Sequence, residues 1–248
     1  MSYGDGYLVR SAAATHPDGK RLERHDHPWG QLAFCNTGVM QVSSDAATWL
    51  SPPTRAIWLP AGVAHEILMK GEVAYRFLYL SPALAEPLPT QPEVLEVAPL
   101  LRELILHILK LRMLHPDRPE QDRLARLLID LIVQARRVDL MLPLPSDRRA
   151  RALAEQVQAA PADPASLGDL ARQAGASLRT LQRVFPAQTG LTLEAWRQKA
   201  RLIWSITRLS GGASVTTAAF DSGYDSPSAF IAAFKRHFGM TPGRMRGV

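Results

Sequence analysis

Residues 214–242 read SVTTAAFDSGYDSPSAFIAAFKRHFGMTP, and this stretch decides the fold of the C-terminal part of the chain. Ser214 stands where a hydroxyl would cap the start of a helix, and Gly223 stands where that helix would stop. Three phenylalanines follow at every fourth position, so that their rings share one buried helix face. They are Phe230, Phe234 and Phe238. The pattern predicts two short helices joined by a tight turn.

An earlier copy of this layout occurs at residues 166–185, which read SLGDLARQAGASLRTLQRVF. Small Ala171 would let two helices cross closely, and Gly175 would permit the sharp turn between them. Four apolar side chains would then bury against each other: Leu170, Leu178, Leu181 and Phe185. Both segments are therefore predicted to be helix-turn-helix units.

The whole region from Asp147 onward is predicted to be helical, with hydroxyl starts and glycine stops. The predicted helices cover residues 148–160, 166–174, 177–188, 193–209, 215–221 and 227–238. The expected N-caps are Ser166, Ser177, Thr192, Ser214 and Ser226. The expected left-handed stops are Gly175, Gly190, Gly211, Gly223 and Gly239.

The exposed surfaces of the two second helices differ in chemistry. With the apolar residues inward, the first unit exposes Arg179, Thr180, Gln182 and Arg183. Arginine and glutamine carry paired hydrogen-bonding groups that match the edges of guanine and adenine in the major groove. The second unit exposes Ser228, Ala229, Ile231 and Ala232, followed by Lys235 and Arg236. We expect the first unit to discriminate sequence and the second to supply shape and backbone contacts.

The stretch from Gly223 to Pro242 resembles the C-terminal signature of AraC/XylS-type bacterial transcription regulators, and residues 181–191 resemble the first unit of that family. The resemblance covers residues 147–246. It implies that the chain binds double-stranded DNA with two recognition helices in successive major grooves, and that RNA polymerase is a partner. The family's base-contacting positions fall on Arg179, Gln182, Arg183, Ser228, Ile231 and Ala232. The complete candidate interface adds Ser177, Thr180, Ser226, Lys235 and Arg236.

Pro186 departs from the family pattern, and because proline lacks an N–H we expect the helix to end or kink after Phe185. The helix predicted at 193–209 would span about 26 Å, which suits a spacer between DNA sites one turn of about 34 Å apart. Four basic side chains on it are candidates either for phosphate contacts or for simple solvent exposure. They are Arg197, Lys199, Arg201 and Arg208.

Charge supports the same interpretation. The 248 residues carry a formal net charge of +6, and residues 147–248 alone hold 14 basic and 7 acidic residues. A basic region joined to a nearly neutral one favours a polyanion-binding module, with an inert basic surface as the alternative.

The single cysteine excludes an internal disulfide framework. The N-terminus lacks a secretory pattern and no long apolar run occurs, so we expect a cytoplasmic protein without a membrane span.

Residues 1–82 are predicted to form short β-strands separated by turns, which is typical of a sandwich or barrel. The clearest apolar stretches are 31–34, 48–50, 56–59 and 75–80. Residues 82–92 are rich in proline and are expected to form a connector without regular structure. Two amphipathic helices should follow, with apolar stripes of Leu101, Leu104, Ile105, Ile108 and Leu111, and of Leu124, Leu127, Leu128, Leu131 and Val138. These stripes either pack within the chain or form a homodimer.

The β region also contains a set of histidines that resembles the two motifs of cupin barrels. Gly19, His25, His27, Gln31 and Gly38 match the first motif, with Gln31 in place of the usual glutamate, and residues 60–65 match the second. On a strand, His25 and His27 would point to the same face, and the turn after Pro60 would bring His65 across. Three imidazoles and one amide oxygen could hold a divalent metal ion. The alternatives are a ligand pocket lined by these side chains and purely structural histidines.

The sequence therefore predicts an α+β chain with a cupin-like sensor barrel at 1–92, a helical pair at 93–146 and a DNA-binding domain at 147–248. The favoured function is a DNA-binding transcription regulator, with activation favoured by the family resemblance, that responds to a small molecule or a metal. The alternative is a metal-dependent cupin enzyme tethered to DNA. That enzyme would need an acid or base beside the histidines, and only Asp26 and Glu66 are near in sequence, with parity that points them away.

Overall fold

The computed structural model describes residues 6–246. Residues 1–5, where the sequence lacks a secretory pattern, and residues 247–248 lie outside the described residues. The chain divides into two compact units, one of residues 1–44 and 49–140 and the other of residues 45–48 and 141–248. The three-part division at 92 and 146 stays a prediction. Within the described residues, no helix is both long and apolar enough to cross a bilayer.

The first unit is built from two antiparallel sheets. Its strands are β1 (Val9–His16), β2 (Arg21–His25), β3 (Gly30–Cys35), β4 (Val39–Ser43), β5 (Ala47–Ser51), β6 (Arg55–Leu59), β7 (His65–Lys70), β8 (Val73–Leu80), β9 (Glu93–Glu96) and β10 (Met113–Leu114). One sheet has the order β10-β1-β8-β3-β6-β9, and the other contains the order β5-β4-β7-β2. The Cys35 thiol of β3 donates to the Ser51 carbonyl of β5, so the two sheets face each other. This arrangement confirms the predicted cupin-like architecture.

Three helices complete the first unit: α1 (Pro82–Ala85), α2 (Pro99–Leu111) and α3 (Pro119–Gln134). One face of the larger sheet packs against α2 and α3 in a single apolar core. From the sheet this core includes Leu32, Phe34, Trp58, Leu78 and Leu80, and from the helices Leu101, Leu104, Ile105, Ile108, Leu128 and Ile132. The apolar stripes of the helical pair therefore lie within their own unit, which is one of the two predicted alternatives.

Two details of the predicted connector and helices are wrong. Residues 82–92 are not wholly irregular, because Pro82 starts the short helix α1, where a proline at the first position costs no hydrogen bond. Val138 lies beyond α3, which ends at Gln134, so it does not belong to the predicted helical stripe. Leu111 and Leu127 are members of the predicted stripes that stay 39% exposed.

The second unit contains the strand β11 (Met141–Pro143) and the remaining helices. These are α4 (Arg148–Ala159), α5 (Leu167–Gln173), α6 (Leu178–Thr189), α7 (Leu193–Ser210), α8 (Val215–Asp221), α9 (Pro227–Phe238) and α10 (Pro242–Arg246). The six predicted helices are confirmed to within two residues at each end, whereas α10 was not predicted. Rings pack on the buried faces: the centre of the Phe185 ring of α6 lies 5.4 Å from that of Trp196 of α7, and within α9 the ring centres of Phe234 and Phe238 are 4.6 Å apart.

Every hydroxyl predicted as an N-cap accepts a backbone N–H at the start of its helix, from Ser166 at α5 to Ser226 at α9. One glycine prediction is wrong. Gly211 has a φ of −77°, and the left-handed residue after α7 is Gly212 with a φ of +88°. Because two glycines follow each other, either could take the left-handed conformation, and the sequence did not distinguish them.

Candidate nucleic-acid interface and histidine centre

Helix α6 presents the polar face that the sequence predicted. Ser177 caps it by accepting the Thr180 amide at 3.1 Å, and the two hydroxyls of these residues lie 2.8 Å apart. Arg179, Gln182 and Arg183 are exposed, whereas Thr180 is half-buried. Thr180 is therefore tied to the cap, and the three longer side chains form the free polar surface of this helix.

Gln182 is also connected to the following helix. Its Nε2 donates to the Glu194 carboxylate at 3.2 Å. A hydrogen bond from its own backbone amide, followed by this one from Gln182, lowers the pKa of Glu194. The bond holds the Gln182 amide plane in place while leaving its oxygen and its second N–H available to a ligand.

Helix α9 carries the predicted second surface. Ser226 caps it by accepting the Ala229 amide at 3.2 Å, and Pro227 occupies its first turn. The remaining candidates are all exposed: Ser228, Ile231, Ala232, Lys235 and Arg236. Ile231 is 37% exposed, an apolar side chain in the middle of this surface. This face has its cations, Lys235 and Arg236, at the C-terminal end. Its first two turns contain no amide or guanidinium side chain that could form two hydrogen bonds with one base.

The predicted end of the helix after Phe185 is wrong, because α6 continues through Pro186 to Thr189, and a kink at Pro186 stays a prediction. Pro186 removes one backbone N–H, but the helix still closes with the Gly190 amide donating to the Pro186 carbonyl at 3.0 Å. The helix thus keeps its last turn, and Thr189 adds a side-chain bond to the Phe185 carbonyl at 2.7 Å.

The arginines of α7 bind other parts of the second unit, beginning with Arg197, which donates to the Asp163 carbonyl at 2.7 Å. The Arg201 guanidinium donates to the carbonyls of Pro161 at 2.8 Å and of Gly223 at 3.1 Å. Arg208 pairs with Asp221 at 2.6 Å. These contacts tie α7 to the loop before α5 and to the second helix-turn-helix unit.

Gly223 allows the approach of Arg201. A Cβ at this position would lie 2.9 Å from the Arg201 Cζ, and the φ of Gly223 is +77°. From the sequence, Gly223 was predicted as a helix stop, and Arg201 as either a phosphate contact or an exposed cation. The backbone carbonyls that hold Arg201 have no sequence pattern, so this brace could not have been found from the sequence.

The three histidines predicted to form a centre do converge in the first unit. One ring nitrogen of each of His25, His27 and His65 lies within 4.8 Å of the others. His25 pairs directly with His65 across β2 and β7. The predicted route is partly wrong, because β2 ends at His25 and His27 lies in the loop before β3. The loop brings His27 inward, where it is 7% exposed, whereas His25 remains exposed.

Backbone carbonyls fix the tautomer of all three rings. The Nδ1 of His25 lies 2.7 Å from the Glu23 carbonyl, that of His65 lies 2.8 Å from the Val63 carbonyl, and that of His27 faces the Trp29 carbonyl. A carbonyl can only accept, so each Nδ1 carries a proton, and in the neutral form of each ring the lone pair lies on Nε2. Burial lowers the pKa of His65 to about 4, which keeps this imidazole neutral near pH 7.

Gln31 completes the set from β3. Its Oε1 lies 3.0 Å from the His27 Nε2, while its Nε2 is buried without a hydrogen-bond partner. The Nε2 of His65 is also buried and unpartnered. A neutral His27 with its proton on Nδ1 would place the Nε2 lone pair against the Gln31 oxygen, an arrangement that a cation beside both atoms would stabilise.

Comparison with known proteins supports both units. The model of the AraC-like ligand binding domain family matches residues 8–157, and that of a helix-turn-helix domain family matches residues 170–247. The transcriptional regulator NimR of Escherichia coli (strain K12) is 34% identical over 220 residues, which make up 89% of this chain and 80% of NimR. The chain belongs to the AraC family of transcriptional regulators.

This AraC-family chain is therefore a DNA-binding transcription regulator with a ligand-binding domain. Other relatives match shorter parts of the chain. RipA of Corynebacterium glutamicum is 39% identical over 100 residues, which cover 40% of this chain and 30% of RipA, and the transcriptional activator VirF of Yersinia enterocolitica is 31% identical over 81 residues. A crystal structure of ToxT from Vibrio cholerae is similar with a TM-score of 0.42 and 10% identity, covering 97% of this chain and 98% of ToxT.

Proposed function

We propose that this regulator discriminates its operator mainly through α6 and activates transcription in response to a ligand bound at the histidine centre. The observation that carries the DNA part is the free polar surface of Arg179, Gln182 and Arg183 on a capped helix. A guanidinium can form two hydrogen bonds with guanine and an amide can form two with adenine. On α9, the exposed Lys235 and Arg236 suit phosphates, which fix position without reading sequence.

Genome-wide capture of DNA bound by the full-length regulator tests this proposal. The expected result is a shared sequence with two half-sites about 10 base pairs apart, and with the stronger base preference in only one of them. Equal base preference in both half-sites would contradict the division of roles between α6 and α9. Transcription in vitro with RNA polymerase on the captured promoters should rise when the regulator is added.

At the histidine centre the proposed ligand is a divalent metal ion. The residues fit such an ion because three Nε2 lone pairs converge, one of them buried without a partner, next to the Gln31 amide. His25, His27, His65 and Gln31 would hold the metal, which would supply a Lewis-acidic centre inside the first unit. The backbone carbonyls orient the rings before any ligand arrives, which lowers the cost of binding.

Metal analysis of the purified full-length regulator tests this assignment. After removal of metal by a chelator and titration with Zn²⁺, Ni²⁺ or Co²⁺, one equivalent should bind. The variant His27→Gln should lose this binding, while His107→Gln, at an exposed position on α2, should keep it. Equal binding by both variants would overturn the metal centre and leave the histidines as pocket lining or as structural groups.

A regulatory rather than catalytic role is supported by the surroundings of the histidines. Of the two acids considered as catalytic partners, Glu66 pairs with Arg21 at 2.7 Å and Asp26 is exposed. The full-length relative NimR is a transcriptional regulator. A sensor is expected to change its DNA affinity when the site is loaded, which a DNA-binding titration with and without metal measures.

Self-association is a further part of the proposal. The predicted stripe of α2 is mostly buried in its own unit, so a homodimer would use the exposed edge of this stripe. Leu100 and Leu111 lie along that edge, eleven residues apart, and are 58% and 39% exposed. Sedimentation of the full-length regulator should show a concentration-dependent dimer that Leu100→Asp weakens. A monomer at every concentration would remove the dimer.

A further inference from the structure

A cavity of about 550 Å³ lies in the second unit, beside the central helix α7. The side chains that matter in its lining are Thr192, Glu194, Arg197, Gln198, Arg201 and Tyr224. Thr192 caps α7 by accepting the Ala195 amide at 3.2 Å. Tyr224 lies in the turn between α8 and α9, so the cavity joins the surroundings of both helix-turn-helix units.

Two hydrogen-bond donors at this cavity are buried and unsatisfied. Arg197 donates through one terminal nitrogen to the Asp163 carbonyl at 2.7 Å, but its Nε has no partner. The Tyr224 hydroxyl likewise lacks a partner: Gln198 is close enough to affect its pKa but forms no hydrogen bond of ordinary geometry. Because buried donors without partners destabilise a folded protein and are rare, two of them in one cavity point to a ligand.

The charge of the lining favours an anion. Two guanidinium groups, Arg197 and Arg201, face one carboxylate, Glu194. Arg201 is already held by three backbone carbonyls, so it is a fixed cation. Burial and the neighbouring Arg201 lower the pKa of Arg197, as expected where a second positive charge has too little compensation. An anion that accepts hydrogen bonds would relieve both the repulsion and the unsatisfied donors.

The position of the cavity indicates where the anion comes from. Glu194 in its lining accepts a hydrogen bond from Gln182 on the exposed polar face of α6. Tyr224 lies two residues before Ser226, the cap of α9. The cavity therefore adjoins residues next to both helices that are proposed to meet the duplex.

We propose that this cavity binds one phosphate of the DNA backbone between the two half-sites, with Arg197 and Tyr224 as its donors. The proposal rests on DNA meeting α6 and α9 as described above. Arg197 thus has a different role from the other two α7 arginines: Arg201 braces the turn at Gly223, and Arg208 pairs with Asp221. The bound phosphate would lock the spacing of the two units on the duplex.

The test compares full-length Arg197→Gln with Arg208→Gln, which removes one positive charge from the same helix outside the cavity. Arg197→Gln should weaken binding to operator and random duplexes alike by about tenfold. It should also reduce the slope of log affinity against log salt by about 0.9. Arg208→Gln should leave that slope unchanged. An unchanged slope for Arg197→Gln would overturn the proposal.

Tyr224→Phe removes only the hydroxyl, so it tests the cavity independently of any folding defect in Arg197→Gln. It should weaken binding by about threefold to tenfold without changing the salt slope, and binding equal to wild type would contradict the role of the hydroxyl. Operators carrying a single neutral methylphosphonate locate the phosphate. One position between the half-sites should weaken the wild-type protein and have no further effect on Arg197→Gln.

Inorganic phosphate and a mononucleotide, added without DNA at constant ionic strength, distinguish a free anion from the DNA backbone. Thermal stabilisation by millimolar phosphate that disappears in Arg197→Gln would assign the cavity to a free ligand and overturn the DNA assignment. The two proposals also fail separately. If Arg179→Ala relaxes sequence preference while Arg197→Gln does nothing, only the phosphate cavity is wrong.

Discussion

The two helix-turn-helix units differ in the side chains that their second helices expose. In the first unit, α6 is capped by Ser177 and exposes Arg179, Gln182 and Arg183. In the second unit, α9 is capped by Ser226 and exposes Ser228, Ile231 and Ala232. Both helices use the same serine cap, and both end at a left-handed glycine. The backbone plan is therefore duplicated while the outward chemistry is not. Folding and recognition are set by different faces of the same helix, so one could change without the other.

Substitutions in the buried faces of the two units should have the largest effect, which is on the free energy of unfolding. Phe234 is fully buried and contacts the rings of Phe230 and Phe238, at 5.5 Å and 4.6 Å, whereas Phe185 contacts only the Trp196 ring, at 5.4 Å. We expect Phe234→Ala and Phe185→Ala each to lower the free energy of unfolding by about 3–5 kcal/mol, with the larger loss at Phe234.

Urea unfolding followed by circular dichroism at 222 nm measures these changes. The control is Phe220→Ala, because Phe220 is 52% exposed and its loss should stay within about 0.5 kcal/mol. A loss at Phe220 as large as at Phe234 would show that the two faces are not separated as described.

The exposed faces should differ by a smaller amount in DNA binding. Arg179→Ala should cost about 1–3 kcal/mol on the operator and relax base preference, because a guanidinium that contacts a base is lost. Ser228 occupies the matching position of the second unit, since Arg179 and Ser228 each lie two residues after the cap of their helix. Ser228→Ala should change operator affinity by less than about 0.5 kcal/mol. Competition binding with operator and random duplexes measures both. Equal loss on both duplexes for Arg179→Ala would exclude base recognition at this position.

The shared caps should have equal effects. Ser177→Ala and Ser226→Ala each remove a side-chain acceptor from the third backbone N–H of its helix, at 3.1 Å and 3.2 Å. Each should lower the free energy of unfolding by about 1 kcal/mol. Ser177→Asp should restore most of the loss, since a carboxylate also caps. No rescue by aspartate would mean that the serine acts through another contact.

The smallest effect is expected at the C-terminal end of α9. Lys235→Ala should weaken binding to every duplex alike, by less than about 1 kcal/mol, and reduce the salt slope by about 0.9. Titrations between 50 and 200 mM salt follow this change. If Lys235→Ala altered base preference, α9 would read sequence and the contrast between the two units would disappear.

Local features of the second unit were predictable because they depend on neighbours in the chain. A serine three residues before a backbone N–H and a ring at every fourth position need no distant partner. The bounds of α8 and α9 were correct to the residue for this reason. The error at Gly211 and Gly212 has the same origin, since adjacent glycines are locally equivalent.

The residues of the histidine centre were predicted correctly, but the backbone elements that hold them were not. The motif spacing gave His25, His27, His65 and Gln31, and these residues do meet. Placing His25 and His27 on one strand was wrong, because β2 ends at His25 and the following loop turns His27 inward. The carbonyls that orient the rings belong to residues of any type, so no side-chain pattern announces them.

The sequence by itself determined where helices start and stop, which faces are apolar, and which side chains are available to contact DNA. Those properties follow from capping chemistry and periodicity within a few residues. Only the tertiary structure decided that Arg201 braces Gly223, that Arg197 and Tyr224 share one cavity, and that the α2 and α3 stripes cover their own sheet. These contacts join residues far apart in the chain, and their energies depend on backbone groups and burial that are fixed when the elements pack.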